Sequence, residues 1–251
     1  DDLSPQFRSN ILDVNCDGFY DAGVLNAADY HTLGIDASGN IALWGDDWWN
    51  LESLPSGQFV QVSGANAHSC AIDVDGVVHC WGSNSHGQST PPNGTFVDIS
   101  VGWIHSCGID TSGNIQCWGA GTTSSDCIDF AYECGQSDPP SGTFVEISNG
   151  ERHSCAIDTS GNVHCWGIDN GSYNDNGQVT DAPGGHFVEI SSGDSHSCAI
   201  NNDAAVYCWG SNDYGQSDPP NAHFAKVSSG CYHSCGIDID GELLCWGSNG
   251  D

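Results

Sequence analysis

Basic residues are almost absent from this chain. Its 251 residues include 3 Lys+Arg against 33 Asp+Glu, which gives a formal net charge of -30. Binding to phosphate backbones or anionic lipids needs clustered Lys and Arg, and only Arg8, Arg152 and Lys226 are present. The composition therefore argues against a nucleic-acid partner and against a membrane-surface partner.

Long apolar runs and methionine are also missing. No run approaches the roughly 18 residues that a membrane-spanning helix needs, and the first residues, DDLSPQF, have neither the basic nor the apolar region of a signal peptide. Cysteine, in contrast, is abundant, with 14 residues. So many thiols in one chain indicate an oxidising compartment. We therefore expect a secreted, already processed protein without membrane insertion.

One sequence pattern occurs six times and organises residues 31–251. The copies read HTLGIDASGNIALWG from His31, HSCAIDVDGVVHCWG from His68, HSCGIDTSGNIQCWG from His105, HSCAIDTSGNVHCWG from His153, HSCAINNDAAVYCWG from His196 and HSCGIDIDGELLCWG from His233. Two of the units are longer because they carry insertions at residues 120–134 and 168–176. Regular self-similarity of this kind is the signature of a repeat architecture.

Each unit predicts three short β-strands. The segments between the copies combine a Pro/Gly turn with alternating apolar residues such as Phe96, Val97 and Ile99, which is typical of a strand. A three-stranded unit cannot bury its own faces, so neighbouring units must stack. We predict an all-β propeller of six blades, with seven as the alternative, in one domain over residues 31–251. Residues 1–30 form an N-terminal segment that we expect to supply a ring-closing strand and an acidic turn.

Ten of the cysteines form five pairs at a spacing of ten residues. The pairs are Cys70 and Cys80, Cys107 and Cys117, Cys155 and Cys165, Cys198 and Cys208, and Cys235 and Cys245. Around a three-residue loop the two cysteines of a pair would lie directly opposite, roughly 4.5 Å apart at Cα, which a disulfide tolerates. The first repeat has Leu33 and Leu43 at these positions. A pair that can be Cys–Cys or Leu–Leu serves packing, so we predict disulfides that staple hairpins.

The third loop position calls for glycine, because it adopts a left-handed conformation. The fifth repeat has Ala204 there, and we expect Asn202 or Asp203 to adopt that conformation instead, or the turn to differ. Of the remaining cysteines, Cys127 and Cys134 are expected to staple the longer insertion. Cys16 and Cys231 would either tie the N-terminal segment to the last repeat or link two chains.

The whole run, S-x-G-x-x-H-S-C-[AG]-I-D-x-x-G-x-[VI]-x-C-W-G-x-N-x-x-G-Q, resembles the repeat of the regulator of chromosome condensation family. Its length is closer to that of the compact repeats in propeller-type beta-lactamase inhibitory proteins. The resemblance implies a β-propeller, typically seven-bladed, that presents loops to protein partners. Six Trp-Gly hairpins are visible here, and the last copy ends at WGSNGD. The acidic charge speaks against transferring chromatin binding to this chain.

Most repeated residues have a structural interpretation. The histidine that opens each copy is expected to satisfy backbone hydrogen bonds, and the tryptophan before each Gly is expected to pack between blades. Aromatic residues outside the pattern are better candidates for a contact surface; these binding-loop candidates are Trp48, Trp49, Trp103 and Tyr173. Asn93 and Asn170 begin N-x-S/T sequons and are candidate glycosylation sites.

The N-terminal segment contains one candidate metal site. The run DVNCDGFYD places Asp13, Asn15, Asp17 and Asp21 at ligand positions of an EF-hand-like loop for Ca²⁺, although Val24 stands where the twelfth residue would be a carboxylate. The other interpretation is a solvated acidic turn. No cofactor is required by any motif.

Nucleophile elbows, phosphate loops and H-E-x-x-H motifs are absent from the sequence. The leading hypothesis is therefore a non-enzymatic, secreted interaction or assembly scaffold. The alternatives are a structural subunit of an extracellular filament, with a strand or face exchanged between subunits, and a glycan-binding module.

Overall fold

The computed structural model describes residues 25–28, 30–45, 49, 51–122 and 134–248. All regular structure in these residues is β-strand, as the repeat predicted. No helix in this part of the chain could cross a membrane.

Eighteen strands are described. The first nine are β1 Leu25–Ala27, β2 His31–Ile35, β3 Ile41–Gly45, β4 Phe59–Gly64, β5 His68–Asp73, β6 Val78–Gly82, β7 Phe96–Val101, β8 His105–Asp110 and β9 Ile115–Gly119. The other nine are β10 Phe144–Asn149, β11 His153–Asp158, β12 Val163–Gly167, β13 Phe187–Ser192, β14 His196–Asn201, β15 Val206–Gly210, β16 Phe224–Ser229, β17 His233–Asp238 and β18 Leu243–Gly247.

Three consecutive strands form one antiparallel sheet, and six such sheets, called blades 1 to 6 in chain order, are described. The first strand of every blade contributes to the lining of one central cavity of about 670 Å³. Sheets whose inner strands surround a common cavity are the blades of a β-propeller. The fold is thus the predicted propeller, and the described residues form six blades.

Five of the blades carry a disulfide between their second and third strands. The five pairs spaced by ten residues are all formed, and their residues are directly opposed, as Cys70 and Cys80 are in blade 2. Their Cα atoms are 4.0 to 4.1 Å apart, slightly closer than a typical non-hydrogen-bonded pair. In blade 1, Leu33 and Leu43 are opposed in the same way, which confirms that this is a packing position.

The hairpin loops between second and third strands share one hydrogen-bonding scheme. In blade 1, Oδ1 of Asp36 accepts hydrogen bonds from the backbone N–H groups of Ser38 and Asn40 at 2.8 and 2.9 Å. The side chain of Asn40, followed by its backbone N–H, lowers the pKa of Asp36. The aspartate thus satisfies two of the loop's own donors, and the carbonyl of Gly39 accepts the N–H of Phe59 of blade 2 at 2.8 Å.

The fifth hairpin corrects the expectation for Ala204. Neither Asn202 nor Asp203 has a positive φ; Ala204 itself adopts the left-handed conformation, with φ 63°. Its neighbours explain why, because Oδ1 of Asn201 accepts the N–H groups of Asp203 and Ala205, both at 2.9 Å. The turn type is therefore kept, and the alanine accommodates the unfavourable conformation.

Neighbouring blades are joined by five clusters of buried apolar side chains. Between blades 2 and 3, Ile72 and Val78 of one blade meet Phe96, Ile99 and Trp118 of the next. The repeated tryptophans of blades 2 to 5 are buried between blades, as predicted. Trp44 is an exception, since 52% of it is exposed. Its face of blade 1 has no described neighbour, and the prediction was wrong for this copy.

Candidate functional site: the upper face of the propeller

The two ends of each blade differ in what they carry. We call the end with the hairpin loops between second and third strands the lower end. At the opposite, upper end the first residue of the second strand pairs with the last residue of the third, as His68 pairs with Gly82. Loops from first to second strands and the segments that follow each third strand, including both insertions, begin at this upper end.

Buried histidines link the blades just beneath the upper end. The Nε2 atom of each lies 2.7 to 2.9 Å from a serine Oγ in the next blade. The five pairs are His31 with Ser69, His68 with Ser106, His105 with Ser154, His153 with Ser197, and His196 with Ser234. The expectation of a backbone partner was wrong, because the serine hydroxyl takes this role.

The hydrogen-bond network assigns the tautomer of these histidines. Oγ of Ser106 donates to the carbonyl of Gln88 at 3.3 Å, so it accepts the Nε2–H of His68. The Nδ1 atom of His68 is buried and has no hydrogen-bond partner among the described residues. Burial, followed by the charge of a neighbouring histidine, lowers the pKa of His68 to about 3. These side chains are therefore neutral connectors between blades at ordinary pH.

The upper loops, in contrast, differ from blade to blade. Two residues precede the repeated histidine in each loop, and they are Asn66 and Ala67 in blade 2 but Glu151 and Arg152 in blade 4. Large aromatic side chains occupy several of these positions and the segments that follow third strands. The exposed ones are Tyr30, Trp49, Tyr173, Tyr214 and Tyr232. Large aromatics in divergent loops of one face are the composition expected of a contact surface.

Two aromatic contacts join neighbouring blades on this face. The rings of Tyr214 and Tyr232 lie 5.3 Å apart at a tilt of 57°, and each is more than half exposed. The guanidinium of Arg152 lies 5.9 Å from the ring centroid of Trp103 and also bonds to Glu151 at 3.2 Å. Both arrangements hold aromatic side chains in place, which lowers the entropy lost on binding.

The electrostatic character of the upper face is acidic. Asp169, Asp194 and Asp213 lie in its loops, and the cation among its described residues, Arg152, is paired with Glu151. Negative charge on Asp194, together with partial burial, raises the pKa of Tyr232. The tyrosine therefore keeps its hydroxyl proton and can donate a hydrogen bond to a partner.

The central cavity opens among the same loops. Trp103, Glu151, Asp194 and Cys231 contribute to its lining at the upper end. Deeper, its walls are small polar residues of the inner strands, and several of their hydroxyls are already used between blades: Ser100 Oγ, for instance, accepts the N–H of Asn149 at 2.8 Å. The cavity thus extends the surface of the upper face inward, and its described lining does not form an apolar ligand pocket.

The predicted binding-loop residues are distributed unevenly over the molecule. Trp49, Trp103 and Tyr173 all belong to the upper end; Tyr173 is 94% exposed, whereas Trp103 is half-buried. Trp48 lies outside the described residues. Sequence reasoning missed Tyr30, Tyr214 and Tyr232. Tyr30 and Tyr232 stand immediately before a repeated histidine, where the other copies have Ala, Ile, Arg or Ser, and that variability was the available signal.

The predicted modification sites are both exposed. Asn170 lies in the insertion at the upper end, and its backbone N–H bonds to Asp175 at 2.9 Å. Asn93 lies in the turn that leads to β7. Glycosylation of either asparagine stays a prediction.

Several other predictions concern residues outside the described part of the chain. The calcium ligands Asp13, Asn15, Asp17 and Asp21 belong to this group, as do Cys16 and Cys127. Cys134 is disulfide-bonded. Among the described residues, no group of three or more His, Cys, Asp or Glu side chains could hold a metal ion.

The fold and its repeats define a class of protein, the β-propeller built from Trp-Gly hairpin units. Comparison with family models matches residues 59–88, 96–123, 144–178, 187–216 and 224–251 to the regulator of chromosome condensation (RCC1) repeat. The chain belongs to this family. No curated protein is similar enough to the chain to count as a match.

Solved structures share the fold at low sequence identity. The ectodomain of the receptor kinase CR4 from Physcomitrella patens has a TM-score of 0.74 and 21% identity, and the match covers 89% of this chain and 62% of that one. The chain thus spans less than two thirds of the moss ectodomain. The ectodomain of ACR4 from Arabidopsis thaliana has a TM-score of 0.72 and 23% identity, and the match covers 89% of this chain and 84% of that one. Prp20p from Saccharomyces cerevisiae has a TM-score of 0.69 and 20% identity, and the match covers 89% of this chain and 71% of that one.

Proposed function

We propose that this chain is a non-enzymatic extracellular scaffold that binds a protein partner through its upper face. The observation that carries the proposal is the concentration of exposed aromatic side chains, Tyr214 and Tyr232 above all, in loops that differ between otherwise equal blades. Interface hot spots are enriched in such side chains.

An extracellular location is supported by chemistry and by similarity. The five described disulfides need an oxidising environment to persist. Two structures that share the fold are ectodomains of plant receptor kinases. Another, Prp20p, has binding properties towards Gsp1p and histones, which shows that this fold can serve protein recognition.

The acidic character of the upper face defines the chemistry of the partner. Asp213 directly precedes Tyr214 in the sequence, and Asp194 interacts electrostatically with Tyr232. Like charges oppose the approach of another acidic surface. The expected partner presents Lys or Arg side chains around aromatic or aliphatic groups. Its association rate should therefore fall as salt is added.

A peptide-display experiment tests this proposal. A random phage-displayed peptide library is selected against the immobilised protein, and the selected peptides are measured against a Tyr214→Ala/Tyr232→Ala variant. The matched control is Val74→Ala/Ile239→Ala, which truncates two exposed side chains of the lower loops. We expect basic, aromatic-containing peptides whose affinity falls at least about tenfold in the tyrosine variant and stays within about twofold in the control.

Two results would overturn the proposal. One is a set of peptides that binds the tyrosine variant unchanged and loses affinity in the lower-end variant. The other is selective binding of a glycan array, with loss in the tyrosine variant and no selected peptide, since this would make the aromatic pair a carbohydrate platform.

A further inference from the structure

The first and last blades each present one face that resembles half of an internal blade interface. In blade 6, 44% of Ile237 and 68% of Leu243 are exposed, although the equivalent Ile72 and Val78 of blade 2 are 2% and 6% exposed. In blade 1, Leu25 is 73% exposed, whereas its equivalent Val62 is 5% exposed. These apolar residues are placed for a neighbour that the described residues do not supply.

The series of histidine–serine hydrogen bonds between blades also ends at blade 6. His233 is the sixth of the repeated histidines and is exposed, and within the described part of the chain no serine or threonine accepts its Nε2–H. Its five counterparts each have a serine in the following blade. Blade 6 therefore carries both the apolar and the polar half of an interface that is complete elsewhere.

We propose that residues 1–24 fill the gap between blades 6 and 1 and cover the exposed face of blade 6. The segment joins blade 1 directly at Leu25, the beginning of β1, so its position in the chain holds it beside the gap. Such tethering raises its effective concentration far above that of a separate molecule. This inference does not depend on the proposed binding role of the upper face.

The residue composition favours this segment over a second copy of the chain. At every internal interface the following blade contributes a phenylalanine from the start of its first strand, such as Phe96 or Phe144. Counting back from the register of β1, the equivalent residue of blade 1 is Ala22. A second copy docking through blade 1 would lack the phenylalanine too, whereas the segment contains Phe7 and Ile11. The net charge of -30 also opposes close packing of two copies.

A disulfide would fix the segment in place. Cys231 lies in the upper loop of blade 6, where it contributes to the lining of the central cavity, and Cys16 lies within the segment. Joining the two thiols releases two protons and two electrons, and a protein or small-molecule disulfide accepts them while it is reduced to its dithiol. This exchange is the same chemistry that would form the five described disulfides.

A double-mutant cycle tests the proposal. Phe7→Ser and Leu243→Ser are made singly and together, and Val97→Ser, at an exposed strand position of blade 3, is the matched control. If residues 1–24 cover the face of blade 6, each of the first two substitutions should lower the Tm by several degrees, and the Tm of the double variant should fall by much less than the sum of the two shifts. The control substitution should shift the Tm little, and its shift should be additive with that of Phe7→Ser. The five internal interfaces remain intact in all variants, so the protein should still fold.

Peptide mapping under non-reducing conditions and sedimentation analysis complete the test. We expect a monomer near 26.4 kDa in which Cys16 is joined to Cys231 of the same chain. Unchanged Tm in Leu243→Ser would show that the face is uncovered, and additive shifts would place the segment elsewhere. A Cys16–Cys231 bond between two chains, or a dimer that dissociates on Leu243→Ser, would show that a second copy fills the gap. Each of these results contradicts the proposal.

Discussion

The lower and upper ends of the propeller are connected by the same strands but differ in how far their loops repeat. At the lower end, six hairpin loops repeat one scheme in which an Asp or Asn side chain accepts two backbone N–H groups, as Asp110 does from Ser112 and Asn114. At the upper end the loops differ in every blade and carry exposed aromatics such as Tyr214 and Tyr232. Repetition therefore maintains the scaffold, and divergence is confined to the end that we propose binds a partner.

Both ends also carry hydrogen bonds that join neighbouring blades. Each lower loop satisfies two of its own backbone donors, and in five of them the carbonyl of the third loop residue accepts the N–H of the phenylalanine that begins the next blade, as Gly76 does from Phe96 at 2.7 Å. Beneath the upper loops, five of the six repeated histidines bond to the neighbouring blade, as His153 does to Ser197 at 2.8 Å. Changes in the scaffold should reduce stability, and changes in the upper loops should leave it almost unchanged.

Among the substitutions, the largest effect is expected from removing one disulfide. Cys155→Ala with Cys165→Ala should lower the free energy of unfolding by about 2–4 kcal/mol, because the bond constrains the unfolded chain and Cys155 is fully buried between blades. Urea titration of the purified variant measures this, with Val97→Ala as a surface control. A loss below about 1 kcal/mol would mean that packing alone holds the hairpin.

Acid should destabilise the scaffold through the buried histidines. Burial, followed by neighbouring histidine charge, lowers the pKa of His105 and His153 to about 3 and that of His196 to about 4. A histidine in the unfolded chain titrates near 6.5. The stabilising contribution is thus complete above about pH 6.5 and is lost as the pH falls towards the folded-state pKa, at roughly 1.4 kcal/mol per pH unit for each residue.

Urea titrations between pH 7 and pH 4 measure this loss. The lower-end aspartates cannot cause it, because their lowered pKa values make their contribution decline only below about pH 3.8. A free energy of unfolding that stays constant over this range would contradict the burial of the histidines.

A smaller effect of opposite sign is expected at the fifth lower loop. Ala204→Gly should stabilise the protein by about 0.5–1 kcal/mol, because glycine adopts the left-handed conformation without steric cost. The reverse change in the fourth blade, Gly161→Ala, should destabilise by about 1–2 kcal/mol, since Gly161 has φ 84°. Thermal unfolding of the two variants measures both changes, and the Tm should rise for Ala204→Gly and fall for Gly161→Ala. No stabilisation by Ala204→Gly together with no destabilisation by Gly161→Ala would mean that the turn is not of this type.

The smallest stability effect belongs to the upper face. Tyr173→Ala removes a side chain that is 94% exposed, so the free energy of unfolding should change by less than about 0.5 kcal/mol. The same urea titration used for the disulfide variant shows the difference between the two ends directly. A change above about 1 kcal/mol would place Tyr173 in the scaffold.

Sequence periodicity was sufficient to predict the blades, because Trp-Gly, Cys and turn glycine each recur at fixed positions in a hairpin. The five disulfides followed from the same spacing. The histidine–serine bonds could not be predicted, since they join residues of different repeats and depend on how blades stack. The exposure of Trp44 also escaped prediction, because a repeated sequence does not show which copy has no neighbour among the described residues. Among the exposed aromatics of the upper face, Tyr173 was found from its position in an insertion, whereas Tyr232 lies within the repeat itself and was missed.

Hydrogen–deuterium exchange shows directly whether a partner binds at the upper face. It is measured on the protein alone and in complex with a selected basic, aromatic-containing peptide. A partner bound at the upper face should slow exchange in the upper loops around residues 193–196 and 230–233 and in the segment 211–216, with no change in the hairpins at 110–114 and 158–162. Protection confined to those lower hairpins would contradict binding at the upper face.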